Sequence, residues 1–359
     1  MATGAATVAT GVLPMGSALA GQIHNAYGSV SGGDQHTLLI TSPDANGFNE
    51  VYAVGDNSEG QLGNNSRVSS TVAVKVRNLT HVRSVAGGGL YSVAVKQDGT
   101  VWAWGDNSAG QLGDGTTTDS LVPKQVPGIS NARFVSANQT GTVLVVLGNG
   151  TVVAWGANTG NCAASSTPVT VAGLTGVSTV AGSVASGYSH AVVRLADGTV
   201  KTWGDNSHGQ LGTGNTTSSC SPVTVPGLTG VTQVSAKGWH TVVRASDGTA
   251  RAWGRNNSGQ LGDGTTTDRL SPITVPGLSG ITSVSAGHFH SVAVRSPGAN
   301  QDREKFSWGD NGQGQLGLGN TTDVSSPTKI PSVDLGGTVM EAGAYHTIAF
   351  HDPAFIPQD

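Results

Sequence analysis

The sequence predicts an all-β chain: a seven-bladed β-propeller of four-stranded blades, with its ring closed by strands from both termini. Three observations carry this. The composition suits strands and tight turns, with 54 glycines in 359 residues and only 11% charged side chains. Two motifs recur together about every fifty residues, a period that marks propellers and solenoids. Between the motifs, short alternating runs flank Asp-Gly or Asn-Gly pairs, the strongest local signal for a hairpin.

The first motif is Trp-Gly-Asp-Asn-x-x-Gly-Gln-Leu-Gly. It is complete at Trp104–Gly113, Trp203–Gly212 and Trp308–Gly317. Val54 replaces Trp in the copy Val54–Gly63, and Arg255 replaces Asp in Trp253–Gly262. A damaged copy begins Trp155-Gly156-Ala157-Asn158 and loses its Gly-Gln-Leu-Gly end. The second motif, Ala-Gly-x-x-His-(Ser/Thr)-Val, occurs seven times, and its His position reads His36, Tyr91, Gly141, His190, His240, His290 and His346. Insertions near Asp44–Asn49 and around Pro297–Lys305 lengthen two of the spacings.

Within each copy a strand precedes the His position, as in Val231–Ser235, and two alternating runs follow it around Asp98-Gly99, Asn149-Gly150, Asp197-Gly198 or Asp247-Gly248. Both central residues of those pairs are expected at positive φ, the type I′ geometry. A fourth strand follows the Gly-rich loop, as in Ser271–Val275, and a Pro-Gly turn such as Pro276-Gly277 closes the unit. Four strands make one blade. Approximate blade boundaries are 22–72, 73–122, 123–170, 171–221, 222–271, 272–327 and 328–359 in one domain spanning 1–359. The last copy lacks a Trp-Gly partner, so a segment at about 5–19 is expected to complete its blade.

The repeated Trp-Gly-x-Asn-x-x-Gly-Gln-Leu-Gly motif, with its Gly- and Asn-rich turns, resembles the repeat of the regulator of chromosome condensation family over about Gly33 to Phe350. A bacterial member is the reading taken here. The resemblance implies the propeller. It leaves function open, because the family includes an exchange factor for a small GTPase, inhibitors, ubiquitin-ligase scaffolds and bacterial proteins of unknown role. Activity has to be argued from a site.

No catalytic motif stands out: Gly-x-Ser-x-Gly, His-Glu-x-x-His and Walker sequences are missing. The repeated histidines read as hydrogen-bonders at blade junctions, since equivalent residues around a ring stand too far apart to share a metal ion. The repeated Asp residues read as Asx turns and the Trp residues as core. No cofactor, metal or catalytic residue is assigned. The net charge of −4 gives no reason to bind nucleic acid, and no stretch has the length and apolarity of a membrane helix. Met1–Gln22 lacks the charged and apolar regions of a signal peptide. A surface rich in Thr, Ser and Asn leans towards an extracellular location without deciding it. Cys162 and Cys220 lie in loops of neighbouring repeats, and both a disulfide and two free thiols are allowed. Asn78-Leu-Thr80 and Asn138-Gln-Thr140 fit the glycosylation triplet, which matters only if the source glycosylates secreted proteins.

The residues that break the repeat are the functional candidates. Just before the His position, four consecutive copies carry an aromatic: Tyr188, Trp239, Phe289 and Tyr345. Asp34 and His288 occupy the same pair of positions in the first and sixth copies. Exposed Tyr and Trp suit an interface, and the competing reading is that the rings merely pack into the channel mouth. The sequence therefore reads as a monomeric binding scaffold whose aromatic face takes a protein. The alternatives are an enzyme or a glycan or small-molecule site at the channel mouth, using His288 with Asp34 or His208, and guanine-nucleotide exchange by fold analogy.

Overall fold

The computed structural model describes residues 30–44, 47–160, 162–296, 303–331 and 339–350. Among the described residues the regular elements are all strands. They form six four-stranded antiparallel sheets and one two-stranded sheet, each meandering in chain order. The first sheet comprises Val30–Gly32, His36–Ile40, Glu50–Gly55 and Ser70–Thr80. The fifth comprises Val231–Ala236, His240–Ala245, Ala250–Gly254 and Arg269–Thr274. The seventh holds Val339–Ala342 and Thr347–Phe350. The segment at about 5–19 expected to complete it lies outside the described residues.

The first strand of every blade lines one central channel, with Ser31, Ala86, Ser136, Ala185, Ser235, Ser285 and Glu341 at equivalent positions. Six of these seven side chains are small, which lets the strands converge. Several serines also tie blades together: Ser31, Ser235 and Ser285 accept from the backbone N–H of Gly87, Ala286 and Ala342 in the next blade, each at 3.0 Å. The core lies between blades, where Trp104, Trp155, Trp203, Trp253 and Trp308 are fully buried. Indole Nε1 of Trp104, Trp155, Trp253 and Trp308 donates to the carbonyl of Gln61, Gln111, Gln210 and Gln260 in the preceding blade, at 2.8 to 2.9 Å. Each of these bonds joins one copy of the first motif to the next and so ties neighbouring blades.

The histidines complete that joint. His36, His190, His240 and His290 meet the hydroxyls of Ser92, Thr241, Ser291 and Thr347 in the following blade at 2.9 to 3.0 Å. Ser92 and Ser291 donate to the carbonyls of Gln61 and Gln260, so they accept from the ring, which places the proton of His36 and His240 on Nε2. The rings of His36, His190 and His290 lie against the motif glycine, which Lys237 replaces beneath His240; a Cβ on Gly33 would meet Cε1 of His36 at 2.3 Å. The seam between the last and first sheets uses the same parts. His346 Nε2 meets Thr37 Oγ1 at 3.3 Å, Ala344 N–H donates to Gly33 O at 3.2 Å, and Ile348 packs with Val30 and Leu39.

Four details differ from the sequence reading. Among Asp98-Gly99, Asn149-Gly150, Asp197-Gly198 and Asp247-Gly248, only the glycines have positive φ, between 77° and 82°. Gly99 N–H donates to Lys96 O and Lys96 N–H to Thr100 O, so this is a type I turn followed by a left-handed glycine rather than type I′. In the third repeat Thr142, and not Gly141, pairs with Gly156 as His36 pairs with Gly55. The loop before Thr142 is one residue longer, which shifts the register. The first outer strand runs on to Thr80 because no Pro-Gly turn stops it. Cys220 lies in the outer strand Ser219–Thr224, not in a loop.

Cys162 and Cys220 form a disulfide. At other seams the Gly-rich loop crosses to the second residue of the next outer strand: Asn65, Gly115, Gly214 and Gly264 donate to the carbonyls of Leu121, Ser166, Leu270 and Ser325 at 2.8 to 3.0 Å. Cys220 is that second residue in the fourth blade. The damaged third loop is too short for the crossing. Gly160 takes the place of the final motif glycine against Trp203, and the disulfide supplies the tie instead.

Candidate binding face at the channel mouth

The loops joining first to second strands, and those joining third to fourth, emerge at the same end of the propeller. A collar of backbone hydrogen bonds fixes the inner loops. Asp34, Tyr188, Gly238, His288 and Ala344 donate to the carbonyls of Gly88, Gly238, Gly287, Ala344 and Gly33, at 2.8 to 3.2 Å. The side chains at this rim are therefore held on a rigid frame.

The structure brings Tyr188, Trp239, His288, Phe289 and Tyr345 into one cluster. Tyr188 stacks on Trp239 with ring centroids 4.4 Å apart, and Trp239 lies 5.7 Å from Phe289. His288 sits among them, edge-on to Tyr345 at 4.9 Å. Tyr188, Trp239 and Phe289 are half-buried, Tyr345 is 36% exposed, and His288 is only 1% exposed. The rings both pack on one another and keep outward surface. Arg255 lies over Trp239 at 5.1 Å and over Phe289 at 5.5 Å. It stands where four other copies have Asp, and it forms no ion pair among the described residues. Losing that Asp also turns Gln260 to Asn257.

Asp34 stands in the loop next to that of Tyr345, and a residue the sequence reading missed also reaches this mouth. Lys237 stands where five copies have glycine, and it reaches from the fifth blade to donate to Gly32 O of the first. Its charge interacts with the carboxylates of Asp34 and Glu341. Lys237 and Glu341 line the channel, so they keep some accessible surface while protein surrounds them on all sides. Burial pushes Asp34 up to about 6, with Lys237 and a Gln139 hydrogen bond pulling the other way. Burial pushes Glu341 up to about 7 against a hydrogen bond from Ser285 and the Lys237 charge. Burial also lowers Lys237 and brings His288 down to about 4, helped by Lys237. His208, grouped with this mouth in the sequence reading, lies instead at an outer seam, 2.9 Å from Asp268.

The repeated Asp residues form Asx turns: Asp106 and Asp205 accept from Ser108 and Ser207 N–H at 3.0 and 3.1 Å. Asn138 is buried and donates to Gly187 O, which removes it as a glycosylation acceptor, whereas Asn78 is exposed. Among the described residues no three His, Cys, Asp or Glu side chains are grouped to hold a metal ion.

The model of the regulator of chromosome condensation (RCC1) repeat matches residues 49–95, 98–142, 197–244, 247–294 and 305–350, well over half the chain. The chain belongs to the RCC1 repeat family. A second RCC1 repeat model matches 82–111, 183–210 and 231–260. The human protein named "Probable E3 ubiquitin-protein ligase HERC6" is 28% identical over 217 residues, 58% of this chain. The match spans only 21% of that relative's length. Among solved structures, Prp20p from Saccharomyces cerevisiae has a TM-score of 0.75 at 21% identity, covering 89% of this chain and 81% of its own. Human WBSCR16 has a TM-score of 0.76 at 23% identity, covering 92% and 87%. These likenesses establish the RCC1 fold. The RCC1 motif residues are spent on joints between blades, while Arg255, Lys237, His288 and the aromatic cluster depart from the repeat.

Proposed function

We propose that this RCC1-repeat propeller is a protein-binding module and that the partner docks on the channel-mouth face. The observation that carries this reading is the contiguous cluster of Tyr188, Trp239, Phe289 and Tyr345 with Arg255 laid over it. Aromatic rings and arginine on a rigid frame are the usual anchors of interfaces. The unpaired guanidinium favours a partner that brings a carboxylate beside an apolar side chain. Relatives of the same fold add support: the yeast Prp20p structure is described with binding to Gsp1p and histones, and another shows Kap60 bound to Prp20. The Cys162–Cys220 disulfide favours an oxidising compartment, in line with an extracellular setting.

The test is the double variant Trp239→Ala with Phe289→Ala. Binding of the partner captured by the unaltered chain should weaken by roughly 30-fold or more, about 2 kcal/mol, while the chain stays folded. Isothermal calorimetry and a thermal melt check the two halves of that statement. Collapse of the fold, or undiminished binding, would remove the cluster from the interface.

A further inference from the structure

We propose that the channel mouth is also a site for a small neutral polyhydroxyl ligand, a sugar ring or polyol. This goes beyond the protein-binding reading and does not depend on it. Hydrogen-bonding capacity is left over at this mouth. Asp34 Oδ1, Gln139 Oε1 and both ring nitrogens of His288 are buried without a protein partner. Buried polar groups are almost always satisfied, so four such atoms from blades one, three and six at one mouth call for an occupant.

The chemistry of those atoms restricts the occupant. Asp34 Oδ1 and Gln139 Oε1 can only accept, so the ligand must bring donors. Neutral His288 offers one donor and one acceptor, and a hydroxyl answers both. Asp34 and Glu341 disfavour an anion. Lys237 already supplies positive charge to those two carboxylates, which disfavours a cation. A neutral ligand remains. Tyr345, 36% exposed, and the outward surface of Tyr188 and Trp239 offer apolar contact to the C–H face of a sugar ring. Below them the channel is lined by Ser31, Ser235, Ser285, Lys237 and Glu341, which is hydroxyl- and charge-bearing rather than greasy. Tyr345, the exposed ring, also stands edge-on to His288 at 4.9 Å.

The experiment titrates the full chain with free hexoses, pentoses, glycerol and inositols, using calorimetry and saturation-transfer NMR, and screens a glycan array in parallel. The expected result is saturable binding of at least one compound, in the millimolar range or tighter. Asp34→Ala and His288→Phe should each weaken it by about tenfold or more, with melting temperature little changed. Asp34→Asn serves if the alanine variant fails to fold. Binding to the array alone assigns the site to the end of a glycan, and binding of free compounds to a small metabolite. Absence of saturable binding in both formats, showing that the mouth holds water only, overturns the proposal; so does binding that survives both variants. Partner capture is read on Trp239 and Phe289 variants, so failure of one reading leaves the other standing.

Discussion

Acidification from pH 7 to pH 5 is expected to destabilise the propeller strongly, on the order of 5 kcal/mol, with little loss between pH 8 and pH 7. Burial holds His36, His240 and His290 down at about 3, and His190, His288 and His346 at about 4. In the unfolded chain the same rings titrate near 6.5. Between these values the unfolded chain binds more protons, so stability falls as pH drops below about 6.5. Asp34 and Glu341 act in the opposite sense. Their folded values of about 6 and about 7 lie above those of the unfolded chain, so the folded state takes up protons first and gains stability as pH falls through that range. Six histidines against two carboxyl groups leave a net loss. Urea unfolding at a series of pH values checks it: the midpoint should fall steadily from pH 7 to pH 5. A flat profile would mean that the joint histidines are not buried neutral.

Reduction of the disulfide is expected to cost about 4 kcal/mol in the chain-entropy account for a closed loop of this length. The two cysteines are 58 residues apart and tie the third blade to the fourth at the position where other seams have a backbone hydrogen bond. The Cys162→Ser/Cys220→Ser variant should therefore melt earlier, and amide exchange should rise first along Ser219–Thr224. An unchanged melting curve, or exchange that rises evenly around the ring, would show that the third seam holds without it.

Much of the fold was legible because a repeat states its pattern several times. Trp, Gln, Gly and His recur at fixed offsets since each is one part of a joint made again at the next blade. Misreadings arose where one copy departs. Gly141 satisfied the spacing, but a longer loop moves the His position to Thr142. Asp-Gly fits two hairpin turns, and only the backbone decides between them. The aromatic positions were visible as departures from the repeat, and their mutual contact follows from the ring. Lys237 and Glu341 stayed hidden for a different reason. Lys237 replaces a motif glycine and Glu341 a small channel-lining residue, and only closure of the ring brings blades five, seven and one together across the channel. The disulfide was equally unreadable, because spacing along the chain carries no Cα distance.

The claim at the centre of this account is that partner contact lies on the channel-mouth face. Site-specific photo-crosslinking tests it directly. A photoreactive amino acid is placed at Tyr345 on that face and, separately, at Asn149 in a hairpin turn at the opposite end. The account predicts a discrete cross-linked protein from position 345, lost when Trp239→Ala and Phe289→Ala are added, and none from position 149. Cross-links from position 149 alone, or equal yields from both, would contradict it.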